Sequence, residues 1–146
     1  MNTRRYWLAL GFMLLSILLV ACSGSANPGT SAGEAALTDT TWKLFAIDKR
    51  KPIEAPNEIT LTFSDGQVSG NSGCNSFGGS YSVNGDNIQF SQLASTMMAC
   101  MEPEGIMEQE QIILQYLNQA KTYRFEDGRL VIVVSDQETL TYDDTK

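Results

Sequence analysis

Histidine is absent from all 146 residues. Its absence removes the side chain that most often acts as a general base, the commonest protein ligand of zinc, and every Ser-His or Cys-His nucleophile pair. Basic residues are scarce: ten Lys and Arg stand against seventeen Asp and Glu, for a formal charge of −7. Affinity for nucleic acid rests on Lys and Arg displacing counterions from phosphates, so nucleic acid is excluded as a partner. Cysteine occurs three times and never in a Cys-x-x-Cys pair, the spacing that lowers a thiol pKa for redox work. A long apolar run is also missing. The longest, Tyr6 to Val20, is interrupted by Gly11 and Ser16 and falls short of the roughly 18 to 20 residues a helix needs to cross a bilayer.

What that run does have is the layout of an export signal. Arg4-Arg5 precede it, and Ala21 follows it directly before Cys22, so residues 1–21 are expected to be a signal peptide. Leu19-Val20-Ala21-Cys22 resembles the lipobox of bacterial lipoproteins. In that motif the cysteine thiol takes a diacylglyceryl group, the chain is cut before it, and the new amine receives an acyl chain such as palmitate. Anchoring by several acyl chains is stable where a single chain is not. Loss of Arg4 and Arg5 with the leader would take the charge from −7 to −9. The expected location is the cell envelope, lipid-anchored to a membrane. With Ser23 after the cysteine, this means the outer membrane facing the periplasm in a Gram-negative cell, and otherwise the outer face of the cytoplasmic membrane. Residues 22–37 are expected to form the lipidated N-terminus and a flexible tether, because Ser23 to Ala36 holds no large apolar side chain with which to pack. Such a segment reaches about 20 Å.

Residues 38–146 are then left for one domain, enough to fold alone. Ile59-Thr60-Leu61-Thr62-Phe63 and Thr122-Tyr123-Arg124-Phe125 alternate with the period of half-buried strands. Asp65-Gly66, Asn84-Gly85 and Asp127-Gly128 supply the positive φ angles of tight hairpins. Leu130 to Val134 is apolar on both faces and reads as a central strand. Glu104 to Ala120 breaks the alternation: Ile106, Ile113, Leu117 and Ala120 share one helix face, with Glu and Gln opposite and Pro103 suited to the first turn. The fold class is therefore α+β: one small antiparallel sheet or cracked barrel of about eight strands, with one amphipathic helix covering it.

Cys74 and Cys100 remain as an even pair in an exported chain, which favours a disulfide. Met97, Met98, Met101 and Met107 surround Cys100. Soft thioethers suit copper(I), but their commoner use is filling irregular core gaps. Glu102, Glu104, Glu108 and Glu110 read as a solvated helix face, since no loop with calcium-binding spacing accompanies them. Lys49-Arg50-Lys51 is the one basic cluster, a solvated turn that would also suit anionic headgroups. Gly70-Asn71-Ser72-Gly73 suggests a backbone nest for an anion, but no phosphate-binding strand, loop and helix follows it, so a bend between strands is the better account.

Gly73-Cys74-Asn75-Ser76-Phe77-Gly78-Gly79-Ser80-Tyr81, Thr96-Met97-Met98-Ala99-Cys100, and Glu110 leading Ile113, Leu114 and Leu117 together resemble the META domain family. The likeness runs from about Thr41 to Tyr142 and departs at Met97, where many members carry arginine. It implies a compact antiparallel sheet or cracked barrel with a packed helix, similar to lipoprotein pilotins, and no enzyme. Bacterial members are heat-inducible envelope lipoproteins associated with novobiocin tolerance, and protozoan members are linked to virulence and secretion. The motif residues Gly73, Asn75, Phe77, Gly79, Tyr81, Thr96, Met98 and Glu110 are expected to serve folding: glycines at bends, Asn75 capping a turn, Phe77 and Tyr81 packing.

The function expected is a noncatalytic, membrane-anchored envelope lipoprotein. It would be a monomer lipidated at Cys22 and bridged at Cys74 and Cys100, without cofactor or metal, binding an envelope protein or a hydrophobic ligand during stress. A pilotin-like lipid-binding chaperone is the first alternative and predicts an open apolar cavity in the barrel. A hydrolase or thiol-redox enzyme is the second and predicts a cleft with perturbed titrating groups.

Overall fold

The computed structural model describes residues 32–38 and 40–145. The expected signal peptide, Cys22 and the start of the expected tether lie outside the described residues. A short helix α1 (Ala32–Leu37) is followed by strands β1 (Thr41–Ile47), β2 (Thr60–Ser64), β3 (Gln67–Asn71), β4 (Ser76–Asn84) and β5 (Asn87–Ser95), then helix α2 (Ile106–Gln119), and finally β6 (Thr122–Glu126), β7 (Arg129–Val133) and β8 (Thr139–Asp144). The eight strands are all antiparallel, pair in sequence order and close into a barrel when β8 returns to β1. The domain is thus mostly β, a closed barrel carrying one long helix.

Period-2 patterning drives this closure. Trp42, Leu44 and Ala46 of β1 and Leu61 and Phe63 of β2 point inward between exposed or half-buried neighbours. Leu130, Val131 and Ile132 of β7 are all buried, as the apolar run there predicts. Phe63 sits edge-on to Tyr81 at 4.8 Å and 6.1 Å from Phe90, so aromatic rings fill the barrel's middle. Two tight turns take positive φ at both residues, Asp65-Gly66 and Asp127-Gly128, while the turn after β4 needs it only at Gly85.

The wall is uneven. β5 and β6 share one register pair, Asn87↔Thr122, so the upper half of β5 lacks a strand neighbour on that side. α2 packs against β5, and its Ile113, Tyr116 and Leu117 join the barrel core. The expected eight antiparallel strands and packed helix are present, but the strands close into a barrel, and the helix start also differs from expectation. α2 begins at Ile106, behind Gly105 in the left-handed region (φ 85°), and Pro103 precedes the helix on a cis peptide rather than occupying its first turn.

Residues 32–37 differ from the expected tether. They form a helical turn, and Leu37 is wholly buried in the core cluster, while the Trp42 indole N–H donates to the Leu37 carbonyl at 3.1 Å. A lone leucine in a polar segment carries no periodic signal, yet burying it removes apolar surface from water and shuts the end of the barrel at which β1 begins. That end also holds the three tight turns. The opposite end gathers the long connections 48–59, 72–75, 96–105 and 134–138, together with the start of α2.

Leu37→Ala should lower the unfolding free energy by about 2–5 kcal/mol in urea titration. A domain begun at Thr38 should show the same loss against one begun at Ala32; equal midpoints would mean that Leu37 does not hold the barrel end.

Candidate functional site

α2 presents two buried polar residues, Gln109 and Glu110, where a solvated face is expected. The reason lies in the stripe itself. Ile106 and Ile113 are seven apart, and the helical turn between them places 109 and 110 on the same inward face. Glu110 is only 5% exposed, so its charge requires partners. The β3–β4 loop supplies them: Oε2 accepts from the Ser72 hydroxyl at 2.8 Å, the Asn75 N–H at 2.8 Å and the Cys74 N–H at 3.3 Å, and Oε1 accepts from the Asn75 amide at 2.7 Å. Gly70 and Asn71 end β3, so the stretch from Gly70 to Gly73 is no nest; the two N–H groups that hold the carboxylate, those of Cys74 and Asn75, follow it. Burial raises the Glu110 pKa, but the bonds from Asn75, Ser72 and Cys74 outweigh it and hold the carboxyl below its ordinary value.

Asn75 is the hub of this cluster. Its amide nitrogen donates to Glu110 and to the Met98 carbonyl at 3.1 Å, and its oxygen accepts from the Thr96 hydroxyl and the Met98 N–H, both at 2.7 Å. Two donors and two acceptor lone pairs are all used, the full capacity of an asparagine amide. It therefore joins two loops to a helix rather than capping its own turn. The Cys74–Cys100 disulfide spans the same two loops. Gly73 stands at φ +121°, and a Cβ there would meet Ala55 at 2.9 Å and Ile106 at 3.1 Å, so only glycine fits. Its carbonyl accepts from the Asn57 N–H at 3.2 Å. Gln109 completes the arrangement by accepting from the Ile53 N–H at 2.6 Å and donating to the Ile53 carbonyl at 3.2 Å.

The structure thus brings Gly73, Asn75, Thr96, Met98 and Glu110 into one cluster with the disulfide and leaves the other motif residues apart. Phe77 and Tyr81 are buried in the barrel core. At Gly79 the β4–β5 register shifts, and a Cβ would strike Leu93 and the Ser91 carbonyl at 2.8 Å. Ser72 and Gln109 belong to the cluster but are not evident in the sequence; the skipped turn in the apolar stripe is the signal that marks 109 and 110. Glu102, Glu104 and Glu108 remain exposed, so the four carboxylates do not converge.

The methionines also depart from expectation. Met97, Met98 and Met101 do not fill the core but are 98%, 55% and 84% exposed. Outside the barrel wall, a cleft of about 800 Å³ lies between β1 and the 51–59 connection, lined by Lys43, Phe45, Ile53 and Pro56. The Arg129 guanidinium covers the Phe45 ring at 3.9 Å and its Nε lies 2.6 Å from Asp143. Tyr116 donates to Asp48 at 3.1 Å; burial and then that bond raise its pKa to about 12, so it stays a neutral phenol.

These features define a small disulfide-bridged β-barrel whose loops are tied to a helix carboxylate. The chain belongs to the META domain family, whose sequence profile matches residues 35–146. Solved structures agree on the fold. A protein from Burkholderia xenovorans, solved by NMR, is 28% identical with a TM-score of 0.60, over 82% of this chain and 97% of that one. Another NMR structure is 22% identical with a TM-score of 0.62, over 75% and 92%. A DUF4847 family protein from Bacteroides vulgatus is 13% identical with a TM-score of 0.53, over 75% and 94%. No curated protein matches the sequence significantly.

A carboxyl whose folded-state pKa is depressed contributes stability in full above its unfolded pKa of about 4.3, and that contribution is lost as pH falls through the lower folded value. Glu110→Ala, which removes the acceptor of two buried backbone N–H groups, the Asn75 amide and the Ser72 hydroxyl, should cost about 3 kcal/mol at neutral pH and make urea stability less steeply pH-dependent below pH ~4. Asn75→Asp sets a second carboxylate against Glu110 and should become more stable on acidification through the carboxylate range, a slope opposite to that of the native chain. Reducing the disulfide, which closes a separation of 26 residues, should lower the unfolding free energy by about 3.5 kcal/mol; an unchanged midpoint with reductant would refute its role as a stabilising bridge.

Proposed function

We propose that this META-domain protein is a noncatalytic, lipid-anchored binding module of the cell envelope. The observation that carries the noncatalytic part is the saturation of the motif cluster. Every oxygen and nitrogen of the Asn75 and Glu110 side chains is bonded within the fold, and an anionic Glu110 held below the usual carboxylate range neither donates a proton at neutral pH nor readily accepts one. These residues hold loops in place. The anchor part rests on Leu19-Val20-Ala21-Cys22 after the apolar run.

The binding part rests on the end of the barrel remote from β1's first residue, where exposed methionines and the Phe45 cleft are displayed on loops fixed by the cluster. Loops positioned by a rigid scaffold are the usual carriers of binding. The barrel's interior is filled by Phe63, Tyr81, Phe90 and their neighbours, which weighs against a pilotin-like protein that would hold an acyl chain inside the barrel.

Cells fed labelled palmitate should incorporate it into the full chain, with the protein in the membrane fraction. Cys22→Ser should lose the label and the membrane association together; label retained in that variant would sink the anchor reading while leaving the barrel's binding surfaces to be tested separately.

A further inference from the structure

The loop between β5 and α2 combines two properties that folding does not require. It is held at three points, by the Thr96 hydroxyl and the Met98 backbone on Asn75 and by Cys100 in the disulfide. On this fixed frame Met97, Met98 and Met101 stand in solvent, although apolar side chains of this size are ordinarily buried. A rigid loop displaying flexible, polarizable thioethers is suited to partners whose apolar side chains vary in shape, because methionine repacks around them.

Charge narrows the class of partner. Between Lys51 and Lys121 the sequence contains no Lys or Arg, while it contains eight Asp and Glu. Three of these, Glu102, Glu104 and Glu108, flank the methionines and are exposed. Among the described residues, the ion pairs are formed by other carboxylates: Glu58, Asp48, Glu54, Glu126 and Asp143. Exposed thioethers with unpaired carboxylates of one sign next to them in the chain favour cationic partners and disfavour anionic surfaces.

Position narrows it further. The chain enters the barrel at Leu37 and Thr41, at the end opposite this loop. With the anchor proposed at Cys22, the chain would come from the membrane to the end of the barrel remote from the methionine loop.

We infer that the Met97–Glu108 surface is a docking site for a cationic amphipathic helix of an exported protein. The thioethers of Met97, Met98 and Met101 would take its apolar face, and Glu102, Glu104 and Glu108 would pair with the Lys and Arg beside it. This inference rests on the binding-module reading and specifies its partner.

The test uses residues 32–146 with the disulfide intact, because the closed core lies within this stretch and the NMR relatives were solved as chains matched over 92% and 97% of their length. Binding of a fluorescent leucine-lysine amphipathic helix is followed by anisotropy, beside a leucine-glutamate helix of the same pattern and vesicles of anionic phospholipid. Saturable binding of the lysine helix alone is expected, weakening as salt rises. Met97→Ser with Met101→Ser, and separately Glu102→Gln with Glu104→Gln and Glu108→Gln, should each reduce affinity roughly tenfold or more without lowering the melting temperature. Unchanged affinity in both folded variants overturns the proposal, as does preference for the vesicles. Binding of the glutamate helix, abolished by Phe45→Ser, overturns it while leaving the binding-module reading intact; no saturable binding of either helix removes both.

Discussion

Burial of one carboxylate orders the upper half of this barrel. Glu110 enters the interior beside Gln109 on the buried face of α2, and a lone charge there is tolerable only if its lone pairs are met. The loop 72–75 meets them with two backbone N–H groups, a hydroxyl and an amide. Once that loop is fixed, Asn75 is oriented, and through Asn75 the backbone at Thr96 and Met98 is fixed in turn. The disulfide adds a covalent link between the same two loops. Hydrogen bonds to ionised groups are about twice as strong as neutral ones, so the carboxylate is the member whose removal undoes the most.

Such a clamp is needed because the strands alone do not close that end. β1 and β2 share three register pairs and β5 and β6 share one, leaving long connections where a tighter barrel would have turns. The end where β1 begins differs in kind: two-residue turns with positive φ and a buried leucine close it by sterics and apolar contact. One end is therefore sealed by shape and the other by polar bonding. The polar end is the one that displays exposed apolar groups, since backbone fixed by directed bonds need not bury the side chains it carries.

Most of the fold was legible in the sequence, and for local reasons. Asp65-Gly66 and Asp127-Gly128 mark their turns by conformational preference alone, Ile59 to Phe63 shows its buried face by alternation, and Cys74 and Cys100 stand out as an even pair. The site was less legible because its chemistry depends on contacts between residues 21 to 56 positions apart. Glu110 reads as a solvated glutamate unless the helical turn between Ile106 and Ile113 is followed inward, and the N–H groups of Cys74 and Asn75 carry no signal without knowing that a helix reaches them. Leu37 is a single apolar residue in a polar stretch, with no period to betray it. The methionines mislead in the other sense, because packing preference says core and only the pinned backbone explains why they are outside.

The barrel's last seam joins its first strand to its last: Trp42 pairs with Asp144, and the Thr145 N–H reaches the Thr41 carbonyl across 104 residues of sequence. On a growing polypeptide, β1 is among the earliest strands made, and its final neighbour is the latest. Hairpins β2–β3 and β4–β5 can form as they emerge, but β1 keeps an unsatisfied edge until β8 is made. Contacts this distant in sequence slow the search for the native state, so ring closure must wait for β8, and loss of that strand would leave the first strand exposed along its flank.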